Sequence, residues 1–487
     1  MVRTKTKPTH KNLILTIVAL AQFMVVLDVS IVNVALPSIY KALHFTSTSN
    51  LQWVVTAYTL AFGGFLLLGG RAADLFGRKK VFISGVSIFA LASLFTGMSI
   101  NSQMIEITRG IQGLAAAFMS PAALSIVITT FKEGHERNVA LSIWGGIAAG
   151  GAATGVLLGG ILTQYLNWRW NFFVNVPVGI LVILAAMFYI DETDAGLDHK
   201  QLDLKGALMV TTGLIALVYG FTQAPTIGWS SHRVIEYFGA SFILLIGFVV
   251  NELKSKHPLV PFSIFKISNI AAANLTQLPI TASLYSMFFF ISLYVQQVLH
   301  YSPIKTGLGF IPVSIVIGVM ASQMSKVIKR FGYKRILMVA PIFMASGLYW
   351  LSRIRANGNY FYDVLPGLIV VALGLGMVFV AITVAATTGV PKDKAGLASG
   401  LLNTSQQIGG AIGLAILSGV SASKINSYLS SHAHSGNVVS IAQVYGSKYA
   451  FLTGVVFAII ALSLATFLIK EDRTKKVVLD PSINAGL

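Results

Sequence analysis

The chain has 487 residues, of which 55% are hydrophobic and only 11% charged, with a mean hydropathy of +0.75. No soluble globular protein of this length has that composition, so a polytopic membrane protein is expected. The formal net charge of +18 would suggest nucleic acid in a soluble domain, but the Lys and Arg here fall on loops, and zero cysteines exclude disulfides and Cys-ligated metals or clusters.

Windows of about 20 apolar residues separate at turn and charge clusters into fourteen helices. Their limits are near 13–36, 50–70, 81–100, 104–131, 139–165, 171–190, 205–223, 235–252, 269–297, 305–327, 335–353, 363–388, 396–420 and 449–469. Threading the chain through these spans puts 26 of the 35 Lys and Arg on one side and 8 on the other, with Arg109 inside a span. That bias is the positive-inside rule, so both termini are expected in the cytoplasm of a multi-pass cell-membrane protein. The first run is too long for a signal peptide and no A-x-A site follows it, so it counts as helix 1.

Helix 1 ends LDVSIVNVALPSI (27–39), with Asp28, Asn33 and Pro37. The loop after helix 2 carries Gly70, Asp74, Gly77, Arg78 and Lys79 as G-x-x-x-D-x-x-G-R-K. Glycine at 70 and 77 allows close backbone approach and a tight turn. Asp74 can cap a helix end or pair with a base from a neighbouring helix, holding the cytoplasmic side shut. Helix 4 carries Glu106, Arg109, Gln112 and Gly113 in an otherwise apolar run. A bare guanidinium in hydrocarbon costs about 2.5–3.5 kcal/mol on insertion scales, so it normally faces protein or a wet cavity. The only acid well inside another span is Asp28. Asp28 lies roughly 22 Å above the start of helix 1 and Arg109 roughly 8 Å below the start of helix 4. In a core of about 30 Å the two share a depth, which allows an ion pair if helices 1 and 4 face one another. The bland alternative is that Arg109 only locks helices through backbone carbonyls and Gln112.

Helix 5 holds Gly151, Gly155, Gly159 and Gly160, a flat ridge for close helix packing. Helix 6 opens WRWNFFVNVPVGI (168–180). Segment 191–204 is an acidic linker, and 253–268 is expected to lie in the cytoplasmic interface with Phe262, Ile264 and Phe265 dipping in. Helix 9 carries Asn274, Gln277, Thr281, Tyr285, Phe288, Ser292 and Gln296 at spacings of three and four, one polar face with two aromatics. Cavity lining is the functional expectation for that face; hydrogen-bond glue between helices is the alternative. The loop at 324–337 repeats the one at 69–82, aligning Phe76-Gly77-Arg78-Lys79-Lys80 with Phe331-Gly332-Tyr333-Lys334-Arg335. Two homologous six-helix halves follow from that repeat, with helices 7 and 8 inserted between them. Helix 13 reads LASGLLNTSQQIGGAIGLAIL (397–417), and the outer loop 421–447 is Ser/Asn-rich. Its His432 and His434 lack Asp, Glu or Cys nearby, so no metal site is expected.

The 70–80 loop resembles the signature loop of the major facilitator superfamily, with Leu75 where a basic residue is usual. Arg109, Gln112 and Gly113 resemble that superfamily's proton-linked motif. The helix 5 glycines resemble the exporter branch's antiporter motif, with Val156 in place of a proline, so a straighter helix is expected. With the helix 1, 6 and 13 sequences, the chain resembles the fourteen-helix drug:proton antiporter family from about residue 13 to 470. The resemblance implies an all-α major facilitator fold: a tail (1–12), a first six-helix bundle (13–190), a linker with two inserted helices (191–268), a second bundle (269–470) and a tail (471–487). It implies export of amphipathic small molecules against inward protons. Asp28, Arg109 and Gln112 would couple the proton. Asp28, Asn33, Glu106, Asn274, Gln277, Thr281, Tyr285 and Phe288 would line the substrate cavity. Gly70, Asp74, Gly77, Arg78 and Lys79 would gate it. Substrate, protons and membrane lipid are the expected partners of a monomer that needs no cofactor, metal or nucleic acid. Export of an endogenous metabolite or lipid is the alternative, and a non-transporting receptor a lesser one. No re-entrant filter, H-E-x-x-H, G-x-S-x-G or P-loop points to a channel, an enzyme or ATP as the energy source.

The charge bias generates a topology test. Reporters fused after residue 487 and inserted near residue 197 should both read cytoplasm, and a tag at residue 435 should be labelled from outside intact cells. Protection of the 435 tag would overturn the fourteen-span threading.

Overall fold

The structure, a computed structural model, describes residues 10–132, 134–192, 203–267, 269–391, 394–432 and 438–471. Among these residues all regular elements are helical, and fourteen helices have 15 residues or more. They are α1 (Lys11–Ala42), α2 (Trp53–Phe76), α3 (Arg78–Gly97), α4 (Ser102–Thr130), α5 (His135–Tyr165), α6 (Asn175–Tyr189) and α7 (Leu204–Ile227). Then come α8 (His232–Lys254), α9 (Ile270–Gln297), α10 (Pro303–Phe331), α11 (Tyr333–Leu351), α12 (Leu365–Thr387), α13 (Ala395–Ser431) and α14 (Val438–Leu468). A short turn of helix, Trp170–Phe173, leads into α6. Twelve helices among the described residues are long and apolar enough to cross a membrane; α5 and α11 fall outside that set.

The packing repeats along the chain. In the first six helices α1 packs on α5 and α6, α2 on α4, and α3 on α4 and α6. In the last six α9 packs on α13 and α14, α10 on α12, and α11 on α12 and α14, the same pairs shifted by eight. Three seams join the two groups, α5 with α10, α2 with α13 and α1 with α9. The intervening α7 lies against α8, α13 and α2. The repeated loops also match in backbone: α2 passes into α3 through Gly77 (φ 96°) and α10 into α11 through Gly332 (φ 84°). Only a residue without Cβ adopts that left-handed conformation freely, so one glycine serves as the whole joint.

Lipid offers helices no hydrophobic drive to associate, so close backbone approach carries the packing. Gly113 of α4 shows it: a Cβ there would land on the Tyr58 carbonyl of α2. Gly110, one turn away on the same helix, has nothing within 4 Å of that position.

Two stretches differ from their sequence expectation. The outer loop 421–447 is mostly helix, because α13 runs on to Ser431 and α14 starts at Val438. Hydropathy sees the membrane rather than the helix, and Ser and Asn tracts outside lipid still coil when a partner helix covers them. His432 stacks on Tyr428 with ring centroids 4.2 Å apart, and His434 lies outside the described residues. Segment 253–268 does not rest on lipid with its apolar side chains. Ile264 is 1% exposed and packs with Leu68, Ala207, Ala398 and Leu401 of the core. The acidic linker expected at 191–204 falls mainly on residues outside the described set.

The glycine pair gives a matched test. Gly113→Ala should lower the melting temperature of the purified protein by an overpacking cost of about 1–3 kcal/mol. Gly110→Ala should be neutral or gain up to about 1 kcal/mol of helix propensity. Equal melting of the two variants would remove the close-approach explanation.

Candidate functional site

Asp28 and Arg109 meet. Asp28 is 0% and Arg109 1% exposed, and Asp28 Oδ2 accepts a short charge-assisted hydrogen bond from Arg109 Nη1. The second carboxylate oxygen and two further guanidinium donors are also occupied. Gln112 Nε2 and Asn175 Nδ2 donate to Asp28 Oδ1 at 3.1 and 3.3 Å. Arg109 donates through Nε to the Val54 carbonyl at 2.8 Å and through Nη1 to Gln112 Oε1 at 3.1 Å. Its guanidinium lies over the Tyr58 ring at 4.5 Å and the Phe172 ring at 5.8 Å. A second tier fixes the first: Asn175 donates to Ser93 Oγ at 3.1 Å, Ser93 donates to the Phe172 carbonyl, and Thr96 donates to Gln112 Oε1. A buried ion pair is tolerable only when its remaining lone pairs and protons find partners, and here both carboxylate oxygens and the guanidinium Nε and Nη1 have them.

The pair therefore sits inside the first six helices, between α1, α2, α4 and α6. Asp28 does not look into the space between the two halves. Glu106, one turn from Arg109 and half-buried, has no ion pair among the described residues. Asn33, also expected in the cavity, turns its amide to the Val29 carbonyl of its own helix. Asn175, Ser93, Thr96, Tyr58 and Phe172 escaped the sequence reading. Asn175 stood in the quoted helix 6 motif, but a neutral amide in an apolar run carries no sign of its orientation.

The polar face of α9 divides. Ser292 Oγ donates to the Asn33 carbonyl at 2.6 Å and Gln296 Nε2 to the Val34 carbonyl at 2.9 Å, sealing α9 to α1. Asn274 accepts from Ser405 of α13 at 2.7 Å, and Thr281 is buried where Gly409 of α13 lets the helices touch. Gln277 is 1% exposed with its Oε1 unpartnered among the described residues. Tyr285 and Phe288 stay half-buried; the Tyr285 hydroxyl donates to Gln407 Oε1 at 3.2 Å and Phe288 packs on Phe310. Much of this face is thus helix glue, with Tyr285 and Phe288 the exceptions.

The glycine ridge of α5 is a seam. Positions 151, 155 and 159 lie against α1, with Ser30 Cβ 2.7 Å and the Ile31 carbonyl 2.7 Å from where side chains at 155 and 159 would begin. Gly160 crosses to the other half, 2.7 Å on the same measure from the Pro303 carbonyl of α10. Val156 leaves α5 unbroken from His135 to Tyr165. Toward the end bearing the termini the α5–α10 seam parts, and Gly146, Gly150 and Gly318 face open space.

The gate loop is fastened within the first half and to the 253–267 segment. Asp74 of α2 pairs with Arg78, the first residue of α3, at 3.6 Å. Arg71 donates to the Pro258 carbonyl at 3.1 Å and Lys79 to the Met187 carbonyl at 2.9 Å. A Cβ added at Gly70 would stand in ordinary contact with Pro121, at 3.7 Å, so no close approach requires glycine there.

Comparison with known proteins places this architecture. Residues 18–414 match the family model of the Major Facilitator Superfamily. The puromycin resistance protein pur8 of Streptomyces alboniger is 36% identical over 93% of this chain and 90% of its own length. The cephamycin export protein CmcT of Amycolatopsis lactamdurans is 36% identical over 92% of this chain and 91% of its own. The multidrug resistance protein Stp of Mycobacterium tuberculosis is 33% identical over 87% and 78%. Among solved structures, an inward-facing bacterial homolog of the human lysosomal transporter Spinster superposes with TM-score 0.67 at 15% identity, covering 96% of this chain and 97% of that one. With a buried intramembrane ion pair, repeated six-helix packing and relatives named for antibiotic resistance and export, the chain belongs to the drug-efflux family of the major facilitator superfamily.

Proposed function

We propose that this protein exports amphipathic small molecules across the cell membrane in exchange for protons, by rocking residues 13–190 against 269–470 with α7 and α8 as inserted spans. The observation that carries the proposal is the Asp28–Arg109 pair, buried in the first half with both carboxylate oxygens hydrogen-bonded. Intramembrane charges that are retained at such cost mark proton or substrate paths. In this state the halves are sealed at the outer end by Ser292 and Gln296 on α1 and are parted on the basic, cytoplasmic side.

The seal residues Asn33 and Val34 lie little more than one turn along α1 from Asp28. Opening the outer seam shifts α1 against α4 and admits water to the carboxylate. A proton from outside then neutralises Asp28 and releases Arg109 to the Val54 carbonyl and Gln112. Closure and reopening inward restore the ion pair and deliver the proton to the cytoplasm. Substrate binds between the halves, where Tyr285 and Phe288 offer aromatic faces, and departs outward. Aromatic faces can offset one desolvated positive charge by cation–π contact, whereas a second stays unpaired and costs several kcal/mol. Neutral amphiphiles and lipophilic monocations are the favoured class.

Two experiments test the scheme. In proteoliposomes, Asp28→Asn should abolish proton release on substrate addition while binding of a neutral compound survives. The substitution also strands Arg109, so melting is followed in parallel; loss of a buried partner costs about 3–5 kcal/mol. Full coupling in Asp28→Asn would move the proton site elsewhere, with Glu106 next to be examined, and robust transport of long dications would overturn the substrate class. For the gate, Asp74→Asn or Gly77→Val should leave abundance near normal and slow turnover, because they act on cytoplasmic closure. Lost expression with unchanged turnover per molecule would make the loop a folding element only.

A further inference from the structure

A cavity of about 170 Å³ opens beside the inserted helices, where they meet the α2–α13 seam and away from the ion pair. Leu67 of α2, Val210 of α7, Phe248 of α8, Leu401 of α13, and Val260 and Phe265 of the 255–267 segment line it. Its walls are held in place. Glu252 Oε2 accepts from the Val260 amide at 2.9 Å, and Arg71 donates to the Pro258 carbonyl at 3.1 Å. At the opposite end of the membrane α7 is already fastened to α2, with Gln52 donating to Thr222 Oγ1 at 2.8 Å, and at mid-depth Gly64 lets Thr211 touch. The gap between α7 and the core thus exists only on the basic side.

Depth and chemistry select the occupant. Leu401 and Ile408 stand six and thirteen residues into α13, so the cavity reaches roughly 9–20 Å inward from the helix start, the depth of one leaflet in a core of about 30 Å. Its lining is apolar apart from Thr404, whose Oγ1 is buried without a partner among the described residues. In the segments that form its walls, Lys254, Lys256 and Lys266 are exposed and Arg71 is half-buried, and none of the four forms an ion pair with a carboxylate among the described residues. An apolar slot one leaflet deep under four uncompensated cations is complementary to a lipid with a negative head. We propose that this cavity holds one acyl chain of an anionic phospholipid from the basic-side leaflet, with its phosphate at Arg71, Lys254, Lys256 and Lys266. The lipid fills the space between the inserted pair and the transport core.

The test uses the full chain in phosphatidylcholine liposomes containing phosphatidylglycerol with a diazirine in its tail. After photolysis, labelled peptides are mapped. Label should concentrate on Phe248, the 259–265 segment and residues 401–408. Val210→Phe, which fills the slot, should cut that labelling roughly tenfold, whereas Ile243→Phe on the lipid-facing side of α8 should not. Because a filling variant can misfold, Lys254→Gln with Lys256→Gln provides an independent arm on exposed positions. The double change should reduce the preference for the anionic over the zwitterionic labelled lipid roughly fivefold per charge. Even labelling along the outer face of α8 that ignores Val210→Phe would show ordinary annular lipid and overturn the proposal. Displacement of the label by transported compounds would assign the cavity to substrate and overturn it as well.

Discussion

Two opposite charges removed from water at the centre of five helices set the terms for the rest of this molecule. Transferring either ion alone from water is prohibitive, and even a pair is favourable only when every remaining donor and acceptor is met. The surrounding residues meet that demand from all sides: Val54 from α2, Ser93 and Thr96 from α3, Gln112 from α4 and Asn175 from α6. Each is a constraint on a helix position. The first half is thereby tied together through a single carboxylate and its partners. The second half has nothing comparable within its described spans. Its Asp363 pairs with Arg355 at the outer rim, where the arginine is 71% exposed and the bond is correspondingly weak.

The two halves therefore divide the work. One stores charge, and the other presents aromatic and hydroxyl groups to its neighbour. Between them the α5–α10 seam is built of glycines facing carbonyls, as at Gly160 with Pro303 and Gly307 with Val156. Such a seam has little to unthread when it opens. The bonds that close the outer end between α9 and α1, Ser292 to Asn33 and Gln296 to Val34, are neutral and few, each worth about 0.5–1.5 kcal/mol. A change of one charge near α1 is large on that scale.

How much of this could be read beforehand depends on how rare the signal is. Asp28 and Arg109 stood out because ionised groups are scarce in apolar runs, and depth arithmetic alone put them level. Gly77 and Gly332 stood out because a repeated loop needs a repeated turn. The polar face of α9 was visible as a period, but periodicity names a face and not what the face meets; Ser292 and Gln296 turned out to grip α1, and Asn274 and Thr281 to fit α13. Asn175, Ser93 and Thr96 were silent because neutral polar residues occur on any membrane helix and acquire meaning only from neighbours. The 253–268 segment was misjudged for a related reason. Its apolar side chains announce burial, and whether lipid or protein buries them is decided by the position of α7.

The long α13 has a mechanical consequence. Its 37 residues make a rod of about 55 Å, against a hydrocarbon core of about 30 Å, so roughly 25 Å stands clear of the bilayer in company with the start of α14. Near its middle the same rod bears on α2, α7 and α9 together. A rod pivoted inside the membrane magnifies small tilts at its free end. The Tyr428–His432–Tyr445–Tyr449 cluster sits at that end, away from the buried seam, where a fluorophore would report any tilt of the rod.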